Sequence, residues 1–559
     1  MKILLAYPYF QQDRAEDENV VAIPIGVYYV AATLVEAGHD VTVANWHGLR
    51  DKPEVMEKEL REIAPDILGV TVFTANRWGA VQAARMAKKV NPKTTVVFGG
   101  IGATFLAHFF LDRFQVVDCV LRGEGELAFP ALLQAIKDGT SLAHVPNLSW
   151  RDGKQVCDNP CAPFVSDLDS LPDPAKYFTF KHVILSRGCP GKCIFCGSPR
   201  FWEGRVRFHS PAYLVRQIER LSSRGIRFFY VSDDTFTLRR EMVLEFCRLL
   251  QERGLKVQWQ AISRVDRVDE ETLAAMRAAG CVQISYGVES GSPEIRKTLR
   301  KNTTDKQIRR AFDLTTRYGM VARAYIIYGN PGECEATIEQ SRRFLHSIRP
   351  LVALFHVLTV LPGTELYDRA CREFGVTDDV WNMDEEDLLW FDLDPALEFK
   401  QVHDWGTRLK RAQHEALPEY VEQLEVAEEP RLYPAFADFF SRLGMTFDQG
   451  DYAENYPQGT RDHLAERLFR RALQYGADPK ASLGLGMLLH RHGHHSEAVS
   501  ELEEGLRQFP NEPNLRLCLG IALMNVGRFK AALSHLEKLR AFPQAQPYIQ
   551  QCREAVTHH

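Results

Sequence analysis

The chain has 559 residues, which at ~150 residues per domain implies about three to four domains. Hydrophobic residues make up 45% and charged residues 25%, a globular balance that excludes long disorder. Lys and Arg (68) nearly match Asp and Glu (73), and the net charge of −5 excludes a protein that coats nucleic acid or anionic membrane over its whole surface.

The opening MKILLAYPYF carries one Lys and no small-residue cleavage site, so it reads as a buried first strand rather than a signal peptide. Residues 1–140 then alternate. KILLAYPY, DVTVANW, DILGVTVFT, TTVVFGG and VDCVLRGEGE are predicted strands, the last with its turn. Helices are predicted at Ile25 to Ala37, ended by Gly38, at Val55 to Ile63 and at Gly79 to Val90. Short apolar runs separated by helical patterns predict an α/β, Rossmann-like, doubly wound parallel sheet. Such sheets bind ligands beyond the carboxyl ends of their strands. Those ends carry Thr71 and Thr74, then Gly99, Gly100 and Gly102, then Gly123 and Gly125. Glycine there lets a large ligand approach the backbone. Neither GGIGAT nor RGEGE forms G-x-G-x-x-G after the first strand, so a nicotinamide cofactor fits poorly.

Residues 141–180, rich in Pro and Asp, read as a linker. From 181 to 375 six more strand candidates follow: HVILS, RFFYVSD, VQWQAIS, VQISYGVES, ARAYIIYG and ALFHVLT. With helices between most of them they predict a partial (β/α)6 barrel whose chemistry lies at the strand C-terminal ends. Residues 376–460 are acidic and aromatic (DDVWNMDEEDLLWFDLD) and read as a lid or a solvated helical connector. Residues 461–559 show a 34-residue self-similarity in which Gly486, Gly493 and Ala498 recur as Gly520, Gly527 and Ala532. LAERLFRRALQYGADP is a partial earlier copy. This period resembles tetratricopeptide repeats and predicts an all-α helical region, either a docking site for a protein partner or a scaffold. The best apolar run, Leu351 to Leu361, is broken by His356 and stopped by Pro362, so no transmembrane segment is expected and the location is read as cytoplasmic.

Twelve cysteines in such a chain are not a disulfide framework. Nine are scattered and read mostly as small core residues, with Cys157 and Cys161 leaving a metal pair open. The other three, Cys189, Cys193 and Cys196, form C-x3-C-x2-C directly after a strand in RGCPGKCIFCG. Soft thiolates from one short loop select zinc or an iron–sulfur cluster. Zinc wants a fourth ligand, for which His182 and His209 are nearest; three cysteines alone suit a four-iron cluster with one iron left open.

That loop, with Phe195 before its third cysteine, resembles the signature of the radical S-adenosylmethionine (SAM) enzymes. The resemblance continues in order along the barrel. SDDTFT places Asp233 and Asp234 where the family holds the SAM amino group, one of the two making the contact. QAISRVD places Arg264 where an arginine meets the SAM carboxylate, and YGVESGS places Glu289 by the ribose or amine. YIIYGNPGE, with Gly329 and Pro331, resembles the segment flanking adenine. A surface ion pair of Arg264 in its charge-rich stretch with Asp266 and Arg267, and a helix start for the two aspartates, are the plain structural alternatives. A doubly wound domain ahead of such a barrel resembles the cobalamin-binding domain of cobalamin-dependent radical SAM enzymes. The resemblance implies cobalamin near Thr71, Thr74, Gly99, Gly100, Gly123 and Glu124. It departs in one respect: the D-x-H-x-x-G motif that gives cobalt a histidine is missing from YPYFQQDRAEDEN, and Asn45-Trp46-His47-Gly48 reads as a solvated loop. Cobalamin without a protein histidine is expected.

The resemblance implies a 4Fe-4S cluster on the three cysteines, with SAM on the open iron. Reductive cleavage of SAM gives a 5′-deoxyadenosyl radical that takes hydrogen from an unactivated carbon, and methylcobalamin then donates the methyl group. No side-chain acid or base is demanded, so none is assigned as catalytic. An electron donor such as flavodoxin or ferredoxin and a small-molecule or carrier-bound substrate are expected, and no nucleic acid. A cyclase or oxidase with the same cofactors and an inactive repeat scaffold remain as alternatives. A methylthiotransferase would need a second cysteine trio, and the first domain holds only Cys119.

Overall fold

The computed structural model describes residues 1–10, 21–383 and 387–557. The chain divides into two compact units, one of residues 1–268, 283–311 and 323–414, the other of residues 269–282, 312–322 and 415–559.

The first unit opens with a seven-stranded sheet in the order β2-β1-β3-β4-β5-β6-β7. β1 (Lys2–Tyr7), β2 (Asp40–Asn45), β3 (Ile67–Thr71), β4 (Thr95–Gly99) and β5 (Cys119–Leu121) are parallel, as their apolar runs predict. Ile3, Leu4, Leu68, Val96 and Phe98 are almost wholly buried, because helices cover both faces. The helix Ile25–Glu36 stops where Gly38 turns left-handed at φ 85°.

The reading of 141–180 as a linker needs correction. β6 (Leu148–Asp152) and β7 (Gln155–Asp158) form an antiparallel hairpin that pairs with β5 and extends the sheet. The turn Asp152–Gly153–Lys154 joins them, with Gly153 at φ 61°. Pro and Asp punctuate short strands here rather than a free arm.

A six-stranded sheet follows in the order β15-β14-β13-β12-β11-β8, each strand beside its successor among the six as a partial barrel requires. Its strands are β8 (His182–Val183), β11 (Phe228–Val231), β12 (Gln258–Ser263), β13 (Cys281–Glu289), β14 (Val321–Tyr328) and β15 (Val352–Val357). β9 (Ser186–Arg187) and β10 (Arg207–Phe208) pair antiparallel and bracket the cysteine loop.

The stretch after 376 is not a solvated connector where it is described. Trp381, Trp390 and Trp405 are buried to within 1% of exposure, and Leu388 and Trp390 pair with the backbone of Val360 and Leu358. Arg77, itself buried, donates from Nε to Trp381 O and from Nη2 to Met383 O, both at 3.0 Å. The acidic residues mislead because the tryptophans between them carry the packing. Residues 384–386 of that stretch lie outside the described residues.

In the second unit the 34-residue period becomes two helical hairpins, Pro479–Arg491 with His495–Gln508 and Pro513–Asn525 with Phe529–Leu536. The repeat is realised in packing. A Cβ on Gly486 would lie 2.5 Å from Leu502 Cγ, and one on Gly520 would lie 2.6 Å from Leu536 Cγ. The earlier partial copy is the helix Gln458–Tyr475. The barrel helix Glu270–Ala278 also belongs here: Ala274 packs with Leu432 and Phe436, and buried Arg277 meets Asp438 at 3.0 Å. Arg442 and Lys480 reach the same carboxylate, each at 2.9 Å.

Candidate functional site

The cysteine loop is held open by backbone anchors. Gly188 sits at φ 101°, and a Cβ there would fall 2.2 Å from Arg205 O, so only glycine can lead into Cys189. Buried Ile194 pins the middle of the loop, donating to Leu299 O at 3.2 Å and accepting from Leu366 N–H at 2.9 Å. Around Gly191 the side chains converge: the position of its missing Cβ is 3.3 Å from Cys189 Sγ, 3.9 Å from Cys193 Sγ and 3.8 Å from Arg264 Nη1. Burial pushes the Cys196 thiol up to about 12, with Asp234, Cys193 and Cys189 adding to it against a Ser198 N–H. Burial also raises Cys193, partly offset by Lys301 and Arg264.

No set of three or more His, Cys, Asp or Glu among the described residues closes on one point to hold a single ion. A polynuclear cluster, with a separate iron for each sulfur, fits this donor set. The two histidines considered as a fourth ligand are engaged elsewhere. His182 Nδ1 lies 2.8 Å from Ser232 Oγ, and fully buried His209 pairs with Asp169 through Nδ1 at 3.1 Å. Of the scattered cysteines, Cys119, Cys247, Cys281 and Cys552 are buried, whereas Cys161 and Cys334 are exposed.

The SAM candidates divide by role. Asp233 is 1% exposed and spends its carboxylate on Leu185 N–H at 2.8 Å and the Ser186 hydroxyl, which fixes the strand entering the cysteine loop. Burial pushes it up to about 7 despite those bonds. Asp234 accepts from Ser198 Oγ at 2.7 Å and faces a cavity. Arg264 is gripped by Asp266 at 2.9 and 3.1 Å, and this pair is half-buried beside the sulfurs rather than on the surface. Glu289 ends β13 at φ 64°, a left-handed conformation that a glutamate adopts at a cost of order 1–3 kcal/mol. Its Oε1 pairs with Lys301 Nζ at 2.8 Å, and that pair lies across Gly287, where a Cβ would be 2.6 Å from Nζ. Gly329, at φ 75°, donates to Glu333 Oε2 at 2.6 Å, and Pro331 beside it is buried. Phe195 is half-buried in the loop.

A cavity of about 370 Å³ opens at the carboxyl ends of β1, β3, β4 and β5. Thr71, Gly99, Gly100, Gly123 and Glu124 line it, as the sequence leads one to expect of a ligand cradle. Thr74 does not; it is buried, and its carbonyl takes Arg77 Nη1 at 3.1 Å. Glu124 is committed to Arg187, Arg207 and Val165 N–H. The far wall belongs to the second sheet's approach to the cysteines: Ile184, Ser186, Arg187, Gly188 and Ser198. No His, Met, Cys or Lys among the described residues lines the cavity, and its surface is largely aliphatic and aromatic carbon, with Glu124, Glu126, Arg187 and Asp234 as its charged lining. A broad, flat, apolar macrocycle with amide edges suits such a wall. The loop at Trp46–His47 is not solvated: Trp46 is fully buried and donates to Glu59 at 2.7 Å, and His47 stacks on Tyr7 with centroids 6.0 Å apart. Residues 11–20, which complete the first strand-to-helix loop, lie outside the described residues.

Sequence reasoning missed Lys301, Arg187 and Glu126. Nothing in the local pattern marks Arg187 or Glu126 as a pair, because each acts on a partner distant in sequence. The first glycine of YGVESGS is the one trace of Lys301, since Gly287 leaves room for its ammonium.

The family model of the radical SAM superfamily matches residues 183–345, and that of the B12 binding domain matches residues 19–133. The chain belongs to the radical SAM superfamily and carries a B12 binding domain ahead of its radical SAM domain. It is 31% identical to an uncharacterized methyltransferase of Pyrococcus horikoshii over 384 residues, covering 66% of this chain and 83% of that one. It is 29% identical to the anaerobic magnesium-protoporphyrin IX monomethyl ester cyclase of Cereibacter sphaeroides, covering 68% and 65%. Its fold is similar to that of the radical SAM methyltransferase TsrM of Kitasatospora setae, solved with cobalamin and a 4Fe-4S cluster bound. There the TM-score is 0.59 at 17% identity, with 84% of this chain and 99% of that one covered.

Proposed function

We propose that this protein is a cobalamin-dependent radical SAM methyltransferase that places a methyl group on an unactivated carbon. One observation carries the reading. The cavity lined by the glycine-rich strand ends of the B12 binding domain has, as its opposite wall, the strand and loop that lead into Cys189. The cradle thus opens directly onto the strand that leads to the cluster cysteines, an adjacency that supports transfer between the two cofactors.

Cys189, Cys193 and Cys196 hold a 4Fe-4S cluster; Phe195, Asp234, Arg264, Glu289, Gly329 and Pro331 surround SAM, with Asp233 bracing the strand behind them. Thr71, Gly99, Gly100, Gly123 and Glu124 border cobalamin, with Thr74 supporting the loop from beneath. When bound, the cluster with SAM supplies a carbon-centred radical, and cobalamin supplies the methyl group. The chain's own residues bind and orient. Arg264, fixed by Asp266, presents Nη1 towards the sulfurs and is suited to a carboxylate. The Lys301–Glu289 pair sets a neutral, rigid edge beside Cys193. Apolar walls exclude water from a radical.

The substrate is a small molecule, free or carrier-bound, and the electron comes from a protein such as flavodoxin or ferredoxin. The setting is cytosolic, where thiols stay reduced. Among the described residues no helix is long and apolar enough to cross a membrane. The test is anaerobic reconstitution with iron, sulfide and cobalamin, then mass analysis of SAM products and substrate. Formation of 5′-deoxyadenosine together with a product heavier by one methylene supports the reading. An unmethylated, cyclised or oxidised product assigns the chemistry of the cyclase relative instead, and no 5′-deoxyadenosine under reduction overturns both.

A further inference from the structure

Arg187 precedes Cys189 by two residues and is 6% exposed. Its Nη1 meets Glu124 Oε1 at 2.8 Å, and its Nη2 lies 2.7 Å from Glu126 Oε1. Those glutamates sit in the turn and first helical residues after β5, on either side of Gly125. The second oxygen of Glu124 takes Arg207 Nη1 at 2.9 Å and Val165 N–H at 3.0 Å. The Arg187 guanidinium also lies 4.9 Å over the Tyr29 ring, which continues the contact by stacking on His209 with centroids 5.4 Å apart. Two arginines and two glutamates therefore form a neutral, buried node between the cradle of the B12 binding domain and the strand entering the cluster loop.

Such a node is a poor way to gain stability, since well-packed apolar residues of the same shape do as well or better. It does fix geometry. Arg187, Glu124 and Glu126 all line the cavity, so neither wall can shift without breaking a buried ion pair. We propose that Arg187 is a positioning residue that couples the two cofactor sites, so that filling either one tightens the other. This rests on the functional reading above.

The coupling is reciprocal by thermodynamic necessity. Hydroxocobalamin should bind at least about fivefold tighter to cluster-loaded protein than to cluster-free protein. Bound cobalamin should slow iron loss to a chelator as well. In R187K, which keeps the charge but reaches a single carboxylate, the ratio should fall to about one, while iron and sulfide content and the cluster's electron paramagnetic resonance spectrum stay unchanged. E126Q, which retains the Arg187–Glu124 bridge, serves the same test if R187K does not fold, with a ratio between those two. A wild-type ratio of one, or a variant ratio equal to wild type, overturns the coupling. Wild-type protein that takes up no cobalamin in either form overturns the functional reading itself, a distinguishable result.

Discussion

The B12 binding domain and the barrel mouth build their sites by opposite means. At the first, strand ends carry glycines, and the cavity is shaped by side chains that are missing. At the second, thiols and paired charges converge on a loop, and the site is made by side chains that are present. A site of the first kind binds by shape and is damaged by adding atoms. The second kind binds by donor chemistry and fails when atoms are removed.

The largest effect should come from removing a donor at the barrel mouth. Cys193→Ala is expected to drop 5′-deoxyadenosine formation to background, measured by mass spectrometry after dithionite reduction, with cobalamin still taken up. Adding atoms at the cradle should do the converse. A Cβ at Gly99 has only Leu121 O nearby, at 3.7 Å, so Gly99→Leu should fold and project into the cavity. Cobalamin affinity by absorbance titration should fall at least about tenfold, equivalent to ~1.4 kcal/mol, with SAM cleavage retained. Equal loss of both activities would break the contrast.

A pH comparison sharpens the difference between the two units. In the first, burial pushes Asp233 and Glu333 up to about 7. The folded state then holds protons that the unfolded chain releases, so this contribution is full below about pH 4 and is lost as pH rises to about 7. Each carboxyl contributes on the order of a few kcal/mol, since each tenfold difference in proton affinity between folded and unfolded chain is worth roughly 1.4 kcal/mol. In the second, burial would raise Asp438, but Arg442, Arg277 and Lys480 outweigh it and hold the carboxyl well below the usual range. Its contribution is present above about pH 4 and is lost on acidification. Burial lowers His182 and His209 in the same barrel, and these pull the other way below about pH 6.5. The carboxyl effect is therefore read against Asp233→Asn: by hydrogen exchange of cofactor-free protein, the wild-type barrel should lose more protection between pH 5 and pH 8 than the variant. Further acidification should loosen the helical unit around Asp438. The smallest effect on activity belongs to Gly486→Ala, whose methyl meets Leu502 Cγ. A loss of about 1–3 kcal/mol on denaturant unfolding is expected, with both cofactors bound normally.

Legibility followed the same division. RGCPGKCIFCG declared its chemistry because donor atoms and spacing are properties of the sequence itself. So did the parallel strands, whose apolar runs are long enough to bury both faces, and the 34-residue period, whose glycines mark equivalent close contacts. The cradle was legible only as a set of glycines at strand ends, and Thr74 was misplaced there because a hydroxyl one turn beyond a strand does not reveal which way it faces. The acidic stretch after 376 was misread because charge marks the outer face and says nothing of three buried tryptophans.

By itself the sequence determined the order of domains, the strand and helix alternation, and a trio of sulfurs, all fixed by local periodicity and covalent spacing. Only the tertiary structure decided that Lys301 faces Glu289, that Arg187 bridges to Glu124 and Glu126, and that the 148–158 hairpin completes a sheet. The ion pairs join residues up to 63 positions apart. No local pattern encodes them, because they arise only when packed elements bring distant charges out of water together; the hairpin turns locally at Gly153, but its pairing with β5 is likewise tertiary.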